Sequence, residues 1–176
     1  MNTALALAPD ASEYNAYYGR YVSLVKTDDI VATLRNQIEH TLAILRRIDQ
    51  AKADYRYAPG KWTVKEMLGH MSDTERIFTY RAVRISRNDK TPIEGFEQDD
   101  YVRNGPFGNV HWADLVDEFA AVRHATVPMF AALPEEAWSR RGTASGNPVS
   151  VRALAFIIAG HELHHRNILR EKYGIA

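Results

Sequence analysis

The chain of 176 residues contains no cysteine. That absence removes a disulfide framework, a thiolate metal site and a cysteine nucleophile together. Net charge is missing as well, since 22 lysines and arginines face 22 aspartates and glutamates. Nucleic-acid binding draws on a basic surplus to neutralise phosphates, so it is not expected here. Long apolar runs are also lacking. None approaches the ~20 residues of a membrane helix, and no membrane role is expected. Met1–Pro9 is apolar but short and has no basic flank, so it does not read as a signal peptide, and a cytoplasmic protein is the expectation. Hydrophobic residues at 45% and charged residues at 25% are ordinary for a globular chain. The length suits one domain over residues 1–176.

Helical periodicity dominates what is present. From about Asp29 to Ile48, the residues Ile30, Leu34, Ile38, Thr41, Leu45 and Ile48 recur at steps of three and four. A second segment runs from Thr63 to about Arg87 and opens on a Thr63-x-x-Glu66 capping box. A third runs from about Val110 to Ala132, with Pro128 expected to kink it or shorten its regular part. A fourth starts at the cap residue Ser150 and stops near Tyr173, just before Gly174. Pro134–Trp138 reads as an added short helix, and nothing reads as a sheet. Four amphipathic helices predict an all-α four-helix bundle. The connection from Asn88 to Asn109 is long for a compact domain. Its aromatics Phe96, Tyr101 and Phe107 predict that it packs on the bundle. Tyr14, Tyr17, Tyr18 and Tyr21 predict the same for an N-terminal arm of residues 1–28.

The chemistry concentrates in Gly160-His161-Glu162-Leu163-His164-His165. His161 and His165 are one helical turn apart on one face, a spacing that suits two ligands to one metal ion. The apolar positions Leu154, Ile158 and Ile168 share that face, so both imidazoles point inward. Buried imidazoles without partners cost several kcal/mol on an apolar reference scale. A shared cation offsets this, and hydrogen-bonded core histidines are the plainer alternative. His70 lies on the inner face of the second helix, with Met67, Thr74 and Ile77. Inward side chains on facing helices build metal sites in bundles. His70, His161 and His165 therefore form a three-nitrogen set for a divalent ion, zinc or nickel first, with iron or manganese also fitting. His111 is an outlying candidate for a fourth ligand, while His40 and His124 fall on solvent faces.

Glu162 completes a His-Glu-x-x-His string, which in one protease class binds zinc and supplies a base. Those proteases take a third ligand downstream. Here Glu171, on the same helix, is the single downstream acid. A peptidase is not expected. Glu162 stays a candidate for a base on metal-held water, with a surface position as the alternative. Arg81 lies inside the apolar stripe of its helix. It needs either an acid, such as an aspartate of the long connection, or a substrate anion. Asp73 and Glu75 are candidates to orient a ligand imidazole, with surface salt bridges as the alternative.

The run Gly60-Lys61-Trp62-Thr63-Val64-Lys65-Glu66, the segment Gly69-His70-Met71-Ser72-Asp73, the stretch Glu75-Arg76-Ile77-Phe78 and the Gly160–His165 segment occur in that order. Together they resemble the DinB superfamily over nearly the whole chain. The resemblance implies an up-down-down-up bundle, often a homodimer, with a divalent metal on His70, His161 and His165. Similar families include thiol S-transferases that use bacillithiol or mycothiol, a mycothiol-dependent isomerase and proteins assigned as metal-dependent hydrolases. The expectation is a metal-dependent enzyme acting on a small-molecule substrate, of the thiol S-transferase or hydrolase type. The metal would lower the pKa of a held water or thiol. With no cysteine in the chain, a thiol would come from a low-molecular-weight cofactor. The alternative is a non-catalytic metal-binding module of binding or stress-response type, which predicts a closed metal shell, with His111 completing it.

Overall fold

A computed structural model describes residues 7–176. The reading of Met1–Pro9 falls mainly on residues 1–6, outside the described residues. Four long helices form the bundle: α2 (Ile30–Leu45), α4 (Val64–Ser86), α6 (Trp112–Ala131) and α8 (Val151–Tyr173). Shorter helices join them: α1 (Gly19–Val22), α3 (Gln50–Ala53), α5 (Gln98–Asn104) and α7 (Glu135–Trp138). The expected caps are present. Asp29 accepts from Ala32 N at 2.9 Å, Thr63 and Glu66 form the reciprocal box, and Ser150 accepts from Ala153 N at 3.0 Å. Gly174 ends α8 in the left-handed conformation, at φ 65. α6 remains helical through Pro128 and stops three residues later, at Ala131.

α2 packs against α6 and α8, and α4 packs against the same two helices, in up-down-down-up order. The neighbours α4 and α6 run the same way, so the chain between them must cross back along the bundle. The long connection makes that crossing. Its aromatics divide. Phe107 is buried, while Phe96 is half-buried and Tyr101 is exposed. Phe107 fits because Gly69 leaves a space its ring fills; a Cβ there would stand 2.3 Å from ring carbons.

The absence of a sheet was a wrong expectation. β1 (Arg141–Ala144) and β2 (Asn147–Ser150) form a two-stranded antiparallel hairpin ahead of α8. Its turn, Ser145-Gly146, has φ of 51 and 73, the pair of positive values that a tight hairpin turn requires. Four-residue strands carry too few alternations to register as a period. The long connection is tied to this hairpin, because Ile93 N donates to Thr143 O and Ser145 N to Ile93 O, each at 2.9 Å.

Two apolar clusters fill the bundle, one around Leu34, Phe78, Phe130, Trp138 and Phe156, the other around Leu42, Met67, Phe119, Trp112 and Leu169. Each fully buried large apolar side chain contributes about 1.5–3 kcal/mol. Toward the middle of the helices lies a buried polar network. Arg123 of α6 donates to both oxygens of Glu75 on α4, at 2.7 and 2.8 Å, and to Leu34 O of α2 at 3.1 Å. Its Nη1 lies 2.7 Å from Glu162 Oε2 on α8. Thr41 of α2 donates to the other oxygen of Glu162. Burial works to lower the Arg123 pKa, but the two carboxylates outweigh it and raise the value further. All four long helices therefore meet at one guanidinium.

The arm packs mainly on α8. Glu13 is buried and accepts from Ser150 Oγ and Arg152 Nε, each at 2.7 Å. Tyr21 is buried, Tyr14 and Tyr18 are half-buried, and Tyr17 is exposed. The arm backbone approaches α8 at Gly160, where a Cβ would stand 2.1 Å from Tyr21 O. Gly160→Ala should therefore push α1 off α8 and lower stability by roughly 2 kcal/mol or more; an unchanged melting temperature would contradict this packing. Arg123→Met should cost roughly 3–5 kcal/mol by stranding two buried carboxylates, measured by chemical denaturation, and a loss below 1 kcal/mol would count against the network.

Candidate metal centre

His70 of α4 and His161 and His165 of α8 converge. His70 Nε2 lies 3.1 Å from His161 Nε2, and His165 Nε2 lies 3.0 Å from the same atom. All three side chains are buried. Two nitrogens each about 2.0–2.1 Å from a zinc-sized ion stand about 3 Å apart, so this spacing fits three ligands of one cation. Among the described residues this is the group of histidines and acids close enough to share an ion. A ring nitrogen offers one in-plane direction, as donor or acceptor, so His161 Nε2 cannot hydrogen-bond well to both of its neighbours at once.

Burial keeps these imidazoles neutral. It lowers the His70 pKa from 6.5 to about 4, with the charge of His164 adding to the effect. Burial likewise holds His161 and His165 well below the ordinary value, reinforced by their histidine neighbours. Neutral imidazole is the ligating form, so binding near pH 7 displaces no proton from these rings. The outer nitrogens are lightly held. With Nε2 free to ligate, His70 Nδ1–H faces Thr74 Oγ1 at 3.4 Å, and His165 Nδ1 is buried without a partner. Neither Asp73 nor Glu75 orients a ligand. Asp73 lies 3.4 Å from Arg76, and Glu75 is committed to Arg123.

The site does not face the bundle centre, as the apolar stripe on α8 predicted. Ala153 to Glu162 is buried at every position, since the arm covers the side of α8 that would otherwise meet solvent. A helix apolar all round is a buried helix. His161 points to the seam among α4, α8 and the arm, 5.2 Å from the Tyr21 ring and 5.0 Å from the His70 ring, centroid to centroid. Glu162 points the other way, into the bundle. It is neither a surface residue nor a base beside the histidines, because both its oxygens are engaged by Arg123 and Thr41. His111 is exposed at the start of α6 and does not join the cluster. His40 and His124 are exposed, as expected.

Two cavities open on the triad. One, of about 320 Å³, is lined by His70, His161, Thr74, Tyr18 and Phe96. The other, of about 370 Å³, is lined by His70, His165, His164, Trp62 and Arg20. Tyr21, Gln98 and Asp99 border both. Tyr21, Trp62 and His164 were not singled out as site residues from sequence. Trp62 and His164 had a signal, being adjacent to the capping box and to His165, whereas Tyr21 is brought in only by the close contact at Gly160.

The sequence pattern of the DinB superfamily matches residues 33–169, which include all three histidines. The chain belongs to the DinB superfamily. Among solved structures, this DinB chain is similar to YfiT from Bacillus subtilis, described as a probable metal-dependent hydrolase with an unusual four-helix bundle topology. The TM-score is 0.69 at 11% identity, over 100% of both chains. It is also similar to a mycothiol-dependent maleylpyruvate isomerase, with a TM-score of 0.68 at 15% identity. That match covers 84% of this chain and 60% of the isomerase. Comparison with curated protein sequences yields no match. At these identities the likeness establishes the fold.

The depressed histidine pKa values carry a consequence for the metal-free DinB protein. Between pH 6.5 and about 4 the unfolded chain binds protons that folded His70 does not, so stability falls as pH drops through that window. Melting temperatures of chelated protein should decline from pH 7 to 5, and less steeply in His70→Ala; equal slopes in the two proteins would contradict the assignment.

Proposed function

We propose that this protein is a metal-dependent enzyme acting on a small-molecule substrate, with His70, His161 and His165 as the ligands of a divalent ion. Zinc or nickel suits three neutral imidazoles best, and iron or manganese is also compatible. The observation that carries the reading is the convergence of three buried nitrogens at a point reached from two cavities. A non-catalytic module would favour a closed shell. His111 is exposed and remote from the triad, which speaks against that alternative.

When bound, the ion supplies Lewis acidity, which makes a water or thiol it holds a nucleophile near neutral pH. The protein's own groups hold and shield the reactants. The Trp62 ring lies tilted, 4.8 Å from the His70 ring, and Phe78 lies 6.5 Å from the His161 ring, which confines both imidazoles and limits water. Two cavities meeting at one triad suit two reactants, a substrate and a low-molecular-weight thiol, in a reaction of the S-transferase type. A hydrolase would need one cavity and water. The triad supports both types, and the paired cavities favour the transferase. We further infer a cytoplasmic homodimer, as the family resemblance suggests; among the described residues no helix is long and apolar enough to cross a membrane.

The test is turnover of a small electrophile by metal-loaded protein, with and without bacillithiol or mycothiol. Thiol-dependent turnover abolished by chelation supports the transferase, and thiol-independent turnover supports the hydrolase. Turnover in neither arm, or unaffected by chelation, overturns the reading. His70→Ala removes one ligand in three and should weaken metal binding by roughly tenfold or more, read by metal titration of the purified protein; an unchanged affinity would contradict the ligand assignment.

A further inference from the structure

Arg81 is 2% exposed, yet it has no carboxylate partner among the described residues. The expected aspartate of the long connection is not there. Instead Nη2 donates to Glu94 O at 3.1 Å and to Ser145 Oγ at 2.9 Å, and Nε is buried with no partner. A buried guanidinium with its charge uncompensated and a donor unused is costly, and such a group is retained where a ligand supplies the missing anion. The surroundings hold it in place. Ser145 sits at φ 51, a conformation that costs a non-glycine residue about 1–2 kcal/mol. Asn147 Nδ2 donates to Ser145 O at 2.7 Å, and Asn15 Nδ2 donates to Asn147 Oδ1 at 2.8 Å, so the arm and the hairpin brace the turn.

Arg81 lines a separate cavity of about 210 Å³ with Asn15, Ser145, Asn147, Val149 and Leu154. Tyr17, Tyr18 and Ser145 border both this cavity and the one that reaches His70 and His161. The Phe78 ring is near both sites, 5.5 Å from the guanidinium carbon and 6.5 Å from the His161 ring.

We propose that Arg81 is a substrate-binding residue that takes the carboxylate of a small, partly apolar substrate and directs the rest of the molecule toward the histidine triad. This deepens the enzymatic reading above and rests on it for the reacting end. One guanidinium with no second cation matches the single charge and planar fork of a carboxylate. A phosphate would call for more donors. The apolar walls from Val149, Leu154 and Tyr18 suit a compact hydrocarbon or aromatic body.

Benzoate is a suitable probe, with benzamide as the neutral isostere and inorganic phosphate as the competing anion, titrated into the full chain both metal-loaded and chelated. Benzoate should bind at least tenfold more tightly than benzamide or phosphate, equally with and without metal. It should also shift the Arg81 Nε–H resonance. In Arg81→Gln, benzoate affinity should fall at least tenfold while metal content is unchanged. If that variant does not fold, the wild-type resonance and the benzoate-to-benzamide ratio still decide. Binding that needs the metal, a ratio near one, preference for phosphate, or an Nε–H signal that does not move each overturns the proposal. Because metal content is measured separately, failure here is distinct from failure of the triad as a metal site.

Discussion

Arg123 is wholly buried, and its guanidinium meets a carboxylate from α4, a carboxylate from α8 and a backbone carbonyl from α2. Apolar side chains alone define helix packing loosely, since a one-turn slide of one helix along another keeps most of the burial. An ion network does not tolerate that slide, because any slip strands a charge in a low-dielectric core. Buried networks of this kind often add little net stability, and their best-attested effect is to select one register. Here the register has a chemical outcome. Glu75 lies little more than one turn from His70 on α4, and Glu162 is next to His161 on α8. Aligning the carboxylates on Arg123 aligns the imidazoles on each other.

This division of labour explains the His-Glu-x-x-His string. Adjacent residues on a helix point about 100° apart, so His161 and Glu162 can serve different neighbours of α8. The histidine faces the seam with α4 and the arm; the glutamate faces the bundle interior. The string therefore looks like a protease signature while its acid has a structural task.

The glycines before the ligands matter in the same way. Gly69 admits Phe107 of the long connection, and Gly160 admits the Tyr21 backbone. The glycines one position before His70 and His161 thus each admit a covering element that the four long helices do not supply. The arm's cover helps to bury the imidazoles, burial lowers their pKa values, and cavities remain on either side. Arg81 of α4 is in turn held by the hairpin turn and the connection, which cover the bundle on that side.

Much was legible from residue order alone. Helical period, the Thr63–Glu66 box, Ser150 and Gly174 set the four long helices, because these are local effects with short-range physics. The spacing of His161 and His165, with His70 on another apolar face, marked the candidate ligands for the same reason. Other features were decided only by tertiary structure. The hairpin at residues 141–150 is too short to show a period. The partners of Arg81, Glu75 and Glu162 depend on contacts 64, 48 and 121 residues apart in the chain, with Ser145, Arg123 and Thr41 respectively. The direction of the site depended on the arm burying what a helical wheel assigns to solvent. Local sequence determined which side chains carry chemistry; long-range packing of arm, connection and Arg123 decided where they point and what surrounds them.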